Sequence, residues 1–317
     1  MTSSSEVGLK AFPFISGYRI TEQLYKGVKT AIYRALSSET QRSVVIKVLA
    51  STHSRSVALA NLRQQYAITQ SLEIPGVPRP LSLESWQNSY ALVMEDFGGI
   101  SLQQYVANNP LSLIETLKIA IQMTDILNGL CQHHVIHKDI KPANIIIEPN
   151  SQRIQLIDFS IASVLPRETQ SIQNPEALEG TLAYLSPEQT GRMNRGIDYR
   201  SDFYGLGATL YELLTGMVPF PSSDPIELVH CHIAQAPISP DKIRPEIPSI
   251  LSAIVLKLMA KNAEDRYQSA VGLKRDLEHC LHQWTQSQTI ADFELGQQDI
   301  SDRFLIPQKL YGRQSEV

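Results

Sequence analysis

The segment His137-Lys-Asp-Ile-Lys-Pro-Ala-Asn144 places an acid, a cation and an amide in one loop. It is followed by Ile145-Ile-Ile-Glu148, a Pro149-Asn-Ser-Gln152 turn and Arg153-Ile-Gln-Leu-Ile-Asp158. Apolar runs on both sides of a turn predict an antiparallel hairpin. In such a ribbon the start of the first strand lies beside the end of the second, so Asn144 and Asp158 reach one shared cation. An amide oxygen next to a carboxylate is the hard-oxygen ligation that Mg²⁺ accepts, with phosphate and water in the other positions. Asp139 and Lys141 add a proton acceptor and a cation able to neutralise a transferring phosphoryl oxygen. Taken singly, Asp and Asn are ordinary turn formers and strand-end caps. The joint pattern is what points to phosphoryl chemistry.

These residues need elements to position them. Residues 1–15, Ser-rich and then irregular around Pro13, read as an extension. From Tyr18 to Leu49 short β-branched and apolar runs, such as Val44-Val-Ile-Lys-Val-Leu49, predict strands. Ser54–Leu72 has neither Gly nor Pro and reads as one helix; Pro75-Gly-Val-Pro78 and Pro80 break it. Leu81–Trp86 and Tyr90–Glu95 form a second hairpin, and Gly98-Gly99 a hinge. Beyond the hinge Leu113, Leu117, Ala120, Met123, Leu127 and Leu130 mark one face of a long helix. Ser201–Thr215 is a helix closed by Gly216 with Pro219 beyond, and Ile250–Met259 and Ala270–Trp284 supply others. The expected organisation is an extension over 1–15, a small β-rich unit over 16–97, a larger helical unit over 98–285, and a linker or the start of a further module over 286–317.

The chain has 317 residues, 43% hydrophobic and 19% charged, with 28 Lys and Arg against 32 Asp and Glu, a net charge of −4. This balance excludes bulk disorder and gives no electrostatic footprint for nucleic acid. No apolar run approaches the roughly 18 residues that cross a bilayer, so no membrane segment is expected. The start of the sequence lacks the features of an export signal, and Cys131, Cys231 and Cys280 are isolated. Isolated cysteines fit a reducing, cytoplasmic setting and neither a disulfide framework nor a zinc ribbon.

The loop and hairpin resemble the catalytic loop and metal-binding motif of eukaryotic-type serine/threonine protein kinases, H-R-D-x-K-P-x-N followed by D-F-G. The resemblance extends from residue 18 to about 285 and implies an α+β, bilobal kinase-like fold: a small β-rich N-lobe with one main helix and a larger, mainly helical C-lobe. It implies ATP as cofactor, with Mg²⁺ or Mn²⁺ held by Asn144 and Asp158. Asp139 is then the base, and Lys141 and Thr181 are the marks of the Ser/Thr branch. The nucleotide would be held by Leu24, Tyr25, Gly27 and Ile32 of the first hairpin, by Lys47 and Gln65, and by Met94, Glu95 and Phe97 of the hinge. Gly180-Thr-Leu-Ala-Tyr-Leu-Ser-Pro-Glu188 is similar to the substrate-facing loop ending in A-P-E, with Arg266 the expected partner of Glu188. Asp202 takes the place of the anchor of the catalytic loop. The run Ser186–Arg195 and the tail Phe304–Arg313 resemble large bacterial signalling kinases in which ATPase and sensor or histidine-kinase modules follow. A protein substrate bearing Ser or Thr, and covalently linked C-terminal modules, are the implied partners; a stand-alone kinase is equally consistent.

Four positions depart from the pattern. The nucleotide loop, Tyr25-Lys-Gly-Val-Lys-Thr-Ala-Ile32, keeps only Gly27, which predicts a stiffer lid and weaker or altered ATP affinity. Lys26 and Lys29 could supply charge to the phosphates or simply be solvated. Gln65 replaces the glutamate expected to pair with Lys47, with Glu73 or Asp158 as rival partners, and forfeits the charge-assisted part of that bond. Lys138 replaces the arginine that clamps a phosphorylated loop, so switching chiefly by phosphorylation of that loop is not expected. Ser160 replaces the last residue of D-F-G and should restrict the backbone there. Gln65 and the altered loop support a rival reading, a pseudokinase that binds nucleotide without transferring phosphate; a small-molecule kinase is opposed by the Gly180–Glu188 segment and Arg266. His133, His134, Arg192 and Arg195 read as a helix end and an exposed basic loop.

Overall fold

A computed structural model describes residues 12–28, 30–49, 55–87, 89–164, 182–193 and 195–300. The chain divides into two compact units, one built from residues up to Ser71 together with Pro78–Phe97, the other from Leu72–Val77 and the chain from Gly98 onward.

The first unit is an antiparallel sheet of β1 (Tyr18–Lys26), β2 (Thr30–Ser37), β3 (Ser43–Leu49), β4 (Pro80–Trp86) and β5 (Ser89–Glu95), in the order β1-β2-β3-β5-β4. The two-residue alternation of β3 sorts its side chains. Val44, Ile46 and Val48 join Ala31, Tyr33, Ala35, Ala91 and Val93 in a buried cluster on one face. The register pairs Ile32 with Lys47 and Lys47 with Leu92, so these three residues share the opposite face. Helix α1 (Arg55–Gln70) packs on β4 and β5, with Leu62, Gln65, Ile68 and Thr69 forming its buried stripe. Residues 12–15, expected to be part of an extension, instead lie on the sheet. Ile15 is buried in the cluster, Phe12 stands edge-on to Tyr33, and Trp86 Nε1 donates to the Phe14 carbonyl at 2.9 Å. Residues 1–11 lie outside the described set.

The second unit is mainly helical: α2 (Leu102–Asn108), α3 (Leu113–Gln132), α4 (Arg200–Thr215), α5 (Pro225–Ala234), α6 (Pro240–Ile243), α7 (Ser249–Leu258) and α8 (Ala270–Ser287). Short strands β6 (Ile100–Ser101), β7 (Val135–Ile136), β8 (Ile145–Ile147), β9 (Ile154–Leu156) and β10 (Ser163–Val164) pair as β6-β8-β9 and β7-β10. Helix α3 starts at a reciprocal cap between Ser112 and Glu115 and buries the expected face, widened by Thr116, Ile119, Thr124 and Ile126. Helix α4 is buried along nearly its whole length and ends at Gly216 in the left-handed region (φ 81°), as its sequence predicts. Residues 288–300, expected to lie in a linker or a further module, fold back onto this unit through Asp292 and Asp299. Among the described residues no helix is long and apolar enough to cross a membrane. The architecture is α+β.

Candidate active site

The predicted hairpin forms: Ile145 pairs with Leu156, and the Ile157 amide donates to the Asn144 carbonyl at 2.8 Å. Asn144 and Asp158 therefore stand at the same end of one ribbon. Asn144 closes a 3₁₀ turn begun by Pro142, whose fixed φ suits the first helical position. Its amide nitrogen donates to the Asp139 carbonyl at 2.9 Å and to Asp139 Oδ2 at 2.7 Å. Lys141 Nζ donates to the same Oδ2 at 2.7 Å. Two donors thus hold one carboxylate oxygen of Asp139, which orients the other, and with the amide nitrogen occupied Asn144 keeps Oδ1 as its acceptor. Asp158 has φ 66°, strained for a residue with a side chain, and its Oδ1 accepts from the Ser160 amide at 3.3 Å. This set of hard oxygens fits a divalent cation such as Mg²⁺.

The loop carrying Asp139 is fixed from beneath. Asp202, in the first turn of α4, accepts from the His137 amide (Oδ2, 2.8 Å) and the Lys138 amide (Oδ1, 2.8 Å). Burial pushes the Asp202 carboxyl above its ordinary range, against the hydrogen bonds from the two amides. His137 is fully buried between the two arms: Nε2 lies 3.0 Å from the Ile157 carbonyl, and Nδ1 accepts from the Asp139 amide at 3.2 Å. With Nδ1 accepting, the proton sits on Nε2, and one imidazole ties the loop to the ribbon. Its ring also stands edge-on to Phe159 at 4.7 Å. Lys138, at φ 69°, turns its carbonyl to Gln189 Nε2 at 2.8 Å.

Gln189 belongs to a short turn whose anchor is a buried ion pair. Arg266 donates to both oxygens of Glu188, at 2.7 and 2.8 Å, and to the carbonyls of Ala260, Lys261 and Arg200. Burial alone would raise the Glu188 carboxyl, but Arg266 and Ser201 overcome it and hold the group at about 2. The resemblance predicted the pair, and Ser186 caps the same turn through Gln189. Arg195 is a correction. Expected in an exposed basic loop, it is largely buried and paired with Glu264 and Asp198, while Arg192 is exposed as expected. Thr181 and Lys29 lie outside the described residues.

The nucleotide-binding candidates fall in the first unit. Lys47 Nζ donates to Gln65 Oε1 at 2.9 Å, with both residues buried, so Gln65 fills the place of the expected glutamate. Ile32, Lys47 and Met94 share the sheet face opposite the apolar cluster. Leu24, Ile32, Met94 and Phe97 are half-buried and Glu95 is exposed. Asp96 pins this stretch by accepting from Arg34 Nε at 2.8 Å and Ser43 Oγ at 2.6 Å. At the hairpin tip the Gly27 amide donates to the Thr30 carbonyl at 2.9 Å. The Tyr25 ring lies over Gly27, where a Cβ would meet its Cε1 at 2.8 Å. The surviving glycine therefore makes room for the aromatic ring that replaced its neighbour.

Sequence reasoning missed the roles of His137 and Gln189 as struts. The His at the head of the loop motif was a visible signal for the first. Nothing local marks the second, because its acceptor is a main-chain carbonyl.

The protein kinase domain family matches residues 18–283. The serine/threonine-protein kinase PknB of Mycolicibacterium smegmatis is 32% identical over 266 residues, covering 82% of this chain and 42% of that protein. A probable serine/threonine-protein kinase of Streptomyces coelicolor is 32% identical over 270 residues, covering 83% of this chain and 40% of that protein. A probable PknB of Lactococcus lactis is 29% identical over 267 residues. The chain spans about two fifths of the length of these curated relatives. With its loop, ribbon and buried Glu188–Arg266 pair in place, the chain belongs to the protein kinase domain family.

Proposed function

We propose that this chain is the catalytic domain of a bacterial serine/threonine protein kinase, transferring the γ-phosphoryl group of Mg·ATP to Ser or Thr hydroxyls of proteins. The observation that carries the reading is the Asp139 carboxylate held at one oxygen by Lys141 and Asn144, on the ribbon that bears Asp158. The other oxygen is left to accept the proton of the substrate hydroxyl as its oxygen bonds to the γ-phosphorus and the bond to the ADP oxygen breaks. Lys141 would neutralise the transferring oxygens, Asn144 and Asp158 would hold the cation, and Lys47 would orient the α- and β-phosphates. The divalent cation supplies charge neutralisation of the phosphates when bound. Leu24, Tyr25, Gly27, Ile32, Met94, Glu95 and Phe97 would contact the nucleotide, and Thr181 marks the Ser/Thr-specific branch. Mg²⁺ is the resident metal, with Mn²⁺ able to substitute.

The resemblance of the Ser186–Arg195 run and the tail to large bacterial signalling kinases supports C-terminal ATPase and sensor modules as covalently linked partners, with a stand-alone cytoplasmic kinase the alternative. The test is transfer of labelled γ-phosphate to a generic basic protein, followed by phosphoamino-acid analysis. Phosphoserine or phosphothreonine, lost in Asp139→Asn, is expected. ATP binding without any transfer would replace this reading with the pseudokinase.

A further inference from the structure

The stretch after α8 is built into the second unit. The Ala291 amide donates to Gln283 Oε1 at 2.8 Å, Ser249 Oγ to Asp292 at 3.0 Å, and the Gly296 amide to Asp276 at 2.8 Å. His279 and Phe293 stack edge-to-face at 4.7 Å. Asp299 closes the clasp: its carboxylate accepts from the Gln268 amide at 2.6 Å, the Ser269 amide at 2.7 Å and Ser269 Oγ at 2.8 Å. The first turn of α8 is shaped for it. A Cβ on Gly272 would stand 2.6 Å from the Asp299 Cα, a backbone atom with no freedom to swing aside. Glycine weakens a helix, and here the close approach of Asp299 explains its presence.

The residue that Asp299 grips is wired to the catalytic loop. Gln268 Oε1 accepts from Arg200 Nη1 at 2.7 Å, and its carbonyl accepts from Tyr199 Oη at 2.7 Å. Arg200 makes a two-pronged pair with Asp198, and its carbonyl accepts from Arg266 Nη1 at 2.9 Å. Arg266 holds Glu188, and the neighbouring Gln189 holds the Lys138 carbonyl beside Asp139. Asp198, Arg200, Arg266 and Glu188 are all buried. A packed, fully bonded network transmits a displacement because its parts have few alternative arrangements.

We propose that Asp299 is a positioning residue of the phosphotransfer site: by seating residues 289–300 against Gln268 and Ser269 it holds the Arg200–Arg266–Glu188 relay that places the substrate-facing turn. The inference rests on the kinase reading above. The test compares the parent chain with Asp299→Ala and, independently, Gly272→Ala, which expels Asp299 without touching the relay. Hydrogen exchange is read at amides 188–200, and KM is measured separately for ATP and for a protein substrate. In both variants exchange at 188–200 should rise about tenfold. KM for the protein should rise several-fold while KM for ATP stays within about twofold. Faster exchange confined to 268–269 and 289–300, or an unchanged KM for protein in an active enzyme, would overturn the proposal even if the melting temperature fell. If Asp299→Ala does not fold, Gly272→Ala decides. A parent chain without transferase activity refutes the kinase reading alone, and the exchange measurement then decides whether the clasp holds the relay.

Discussion

Replacing Gln65 tests how this protein manages with a neutral partner for its buried lysine. Lys47 Nζ and Gln65 Oε1 are 2.9 Å apart, at residues 5% and 2% exposed. Deleting a buried acceptor from a charged donor costs about 1.5–3 kcal/mol. At about 1.4 kcal/mol per tenfold, Gln65→Ala should lower kcat/KM for ATP roughly ten- to hundredfold. Gln65→Glu keeps the length and adds a charge. At 2.9 Å and an effective dielectric of about 20, the gross attraction is about 6 kcal/mol. Desolvating a second buried ion costs several kcal/mol and offsets most of this. The glutamate variant should therefore stay within about tenfold of the parent. The assay is steady-state phosphotransfer over a range of ATP concentrations, with ATP affinity measured in parallel. An alanine variant with parental kcat/KM would refute the role given to Gln65. A glutamate variant more than a hundredfold faster would refute the balance of attraction and desolvation.

Three further outcomes follow from the geometry. Glu188→Gln strips the charge from a pair with both members buried and should destabilise the second unit by about 3–5 kcal/mol, read by urea unfolding through Trp284 fluorescence on α8. Because the folded Glu188 carboxyl is held at about 2, below its ordinary 4.5, the parent keeps this stabilisation above pH 4.5 and loses it as pH falls toward 2; the variant should show no such loss. His232 is buried against Tyr204 and Phe220 near Lys261, and burial holds it neutral down to about 4 from an ordinary 6.5. The unfolded chain then binds the extra proton, so stability should fall by ~3 kcal/mol between pH 6.5 and 4, and His232→Gln should flatten that slope. Tyr25→Gly removes the ring that lies over Gly27 and opens the loop to closer phosphate approach, so ATP binding should tighten about tenfold; weaker binding would show that the ring contributes to the site.

The parts of the site legible in the sequence are those fixed by short chain separations or by motif spacing. A turn between two apolar runs brings Asn144 to Asp158 whatever the surroundings. The helix starting near Ser201 puts Asp202 in its first turn, and the run without Gly or Pro before Leu72 puts Gln65 on one helix. What escaped depends on partners distant in sequence. Arg195 is hydrophilic and sits in a loop, and the approach of Glu264, distant in sequence, joins nearby Asp198 in making its burial tolerable. Asp299 finds main-chain amides at 268 and 269, which leave no trace in side-chain pattern. Phe12 and Ile15 are too few to show a strand period, yet the apolar face of the sheet needs a cover.

The most direct measurement of the central claim is a single turnover of bound Mg·ATP with saturating protein substrate, in the parent and in Asp139→Asn. The oriented carboxylate of Asp139 predicts a first-turnover rate at least about a hundredfold lower in the variant, with ATP affinity unchanged. Equal first-turnover rates in the two proteins would contradict the account, because the proton acceptor would then lie elsewhere.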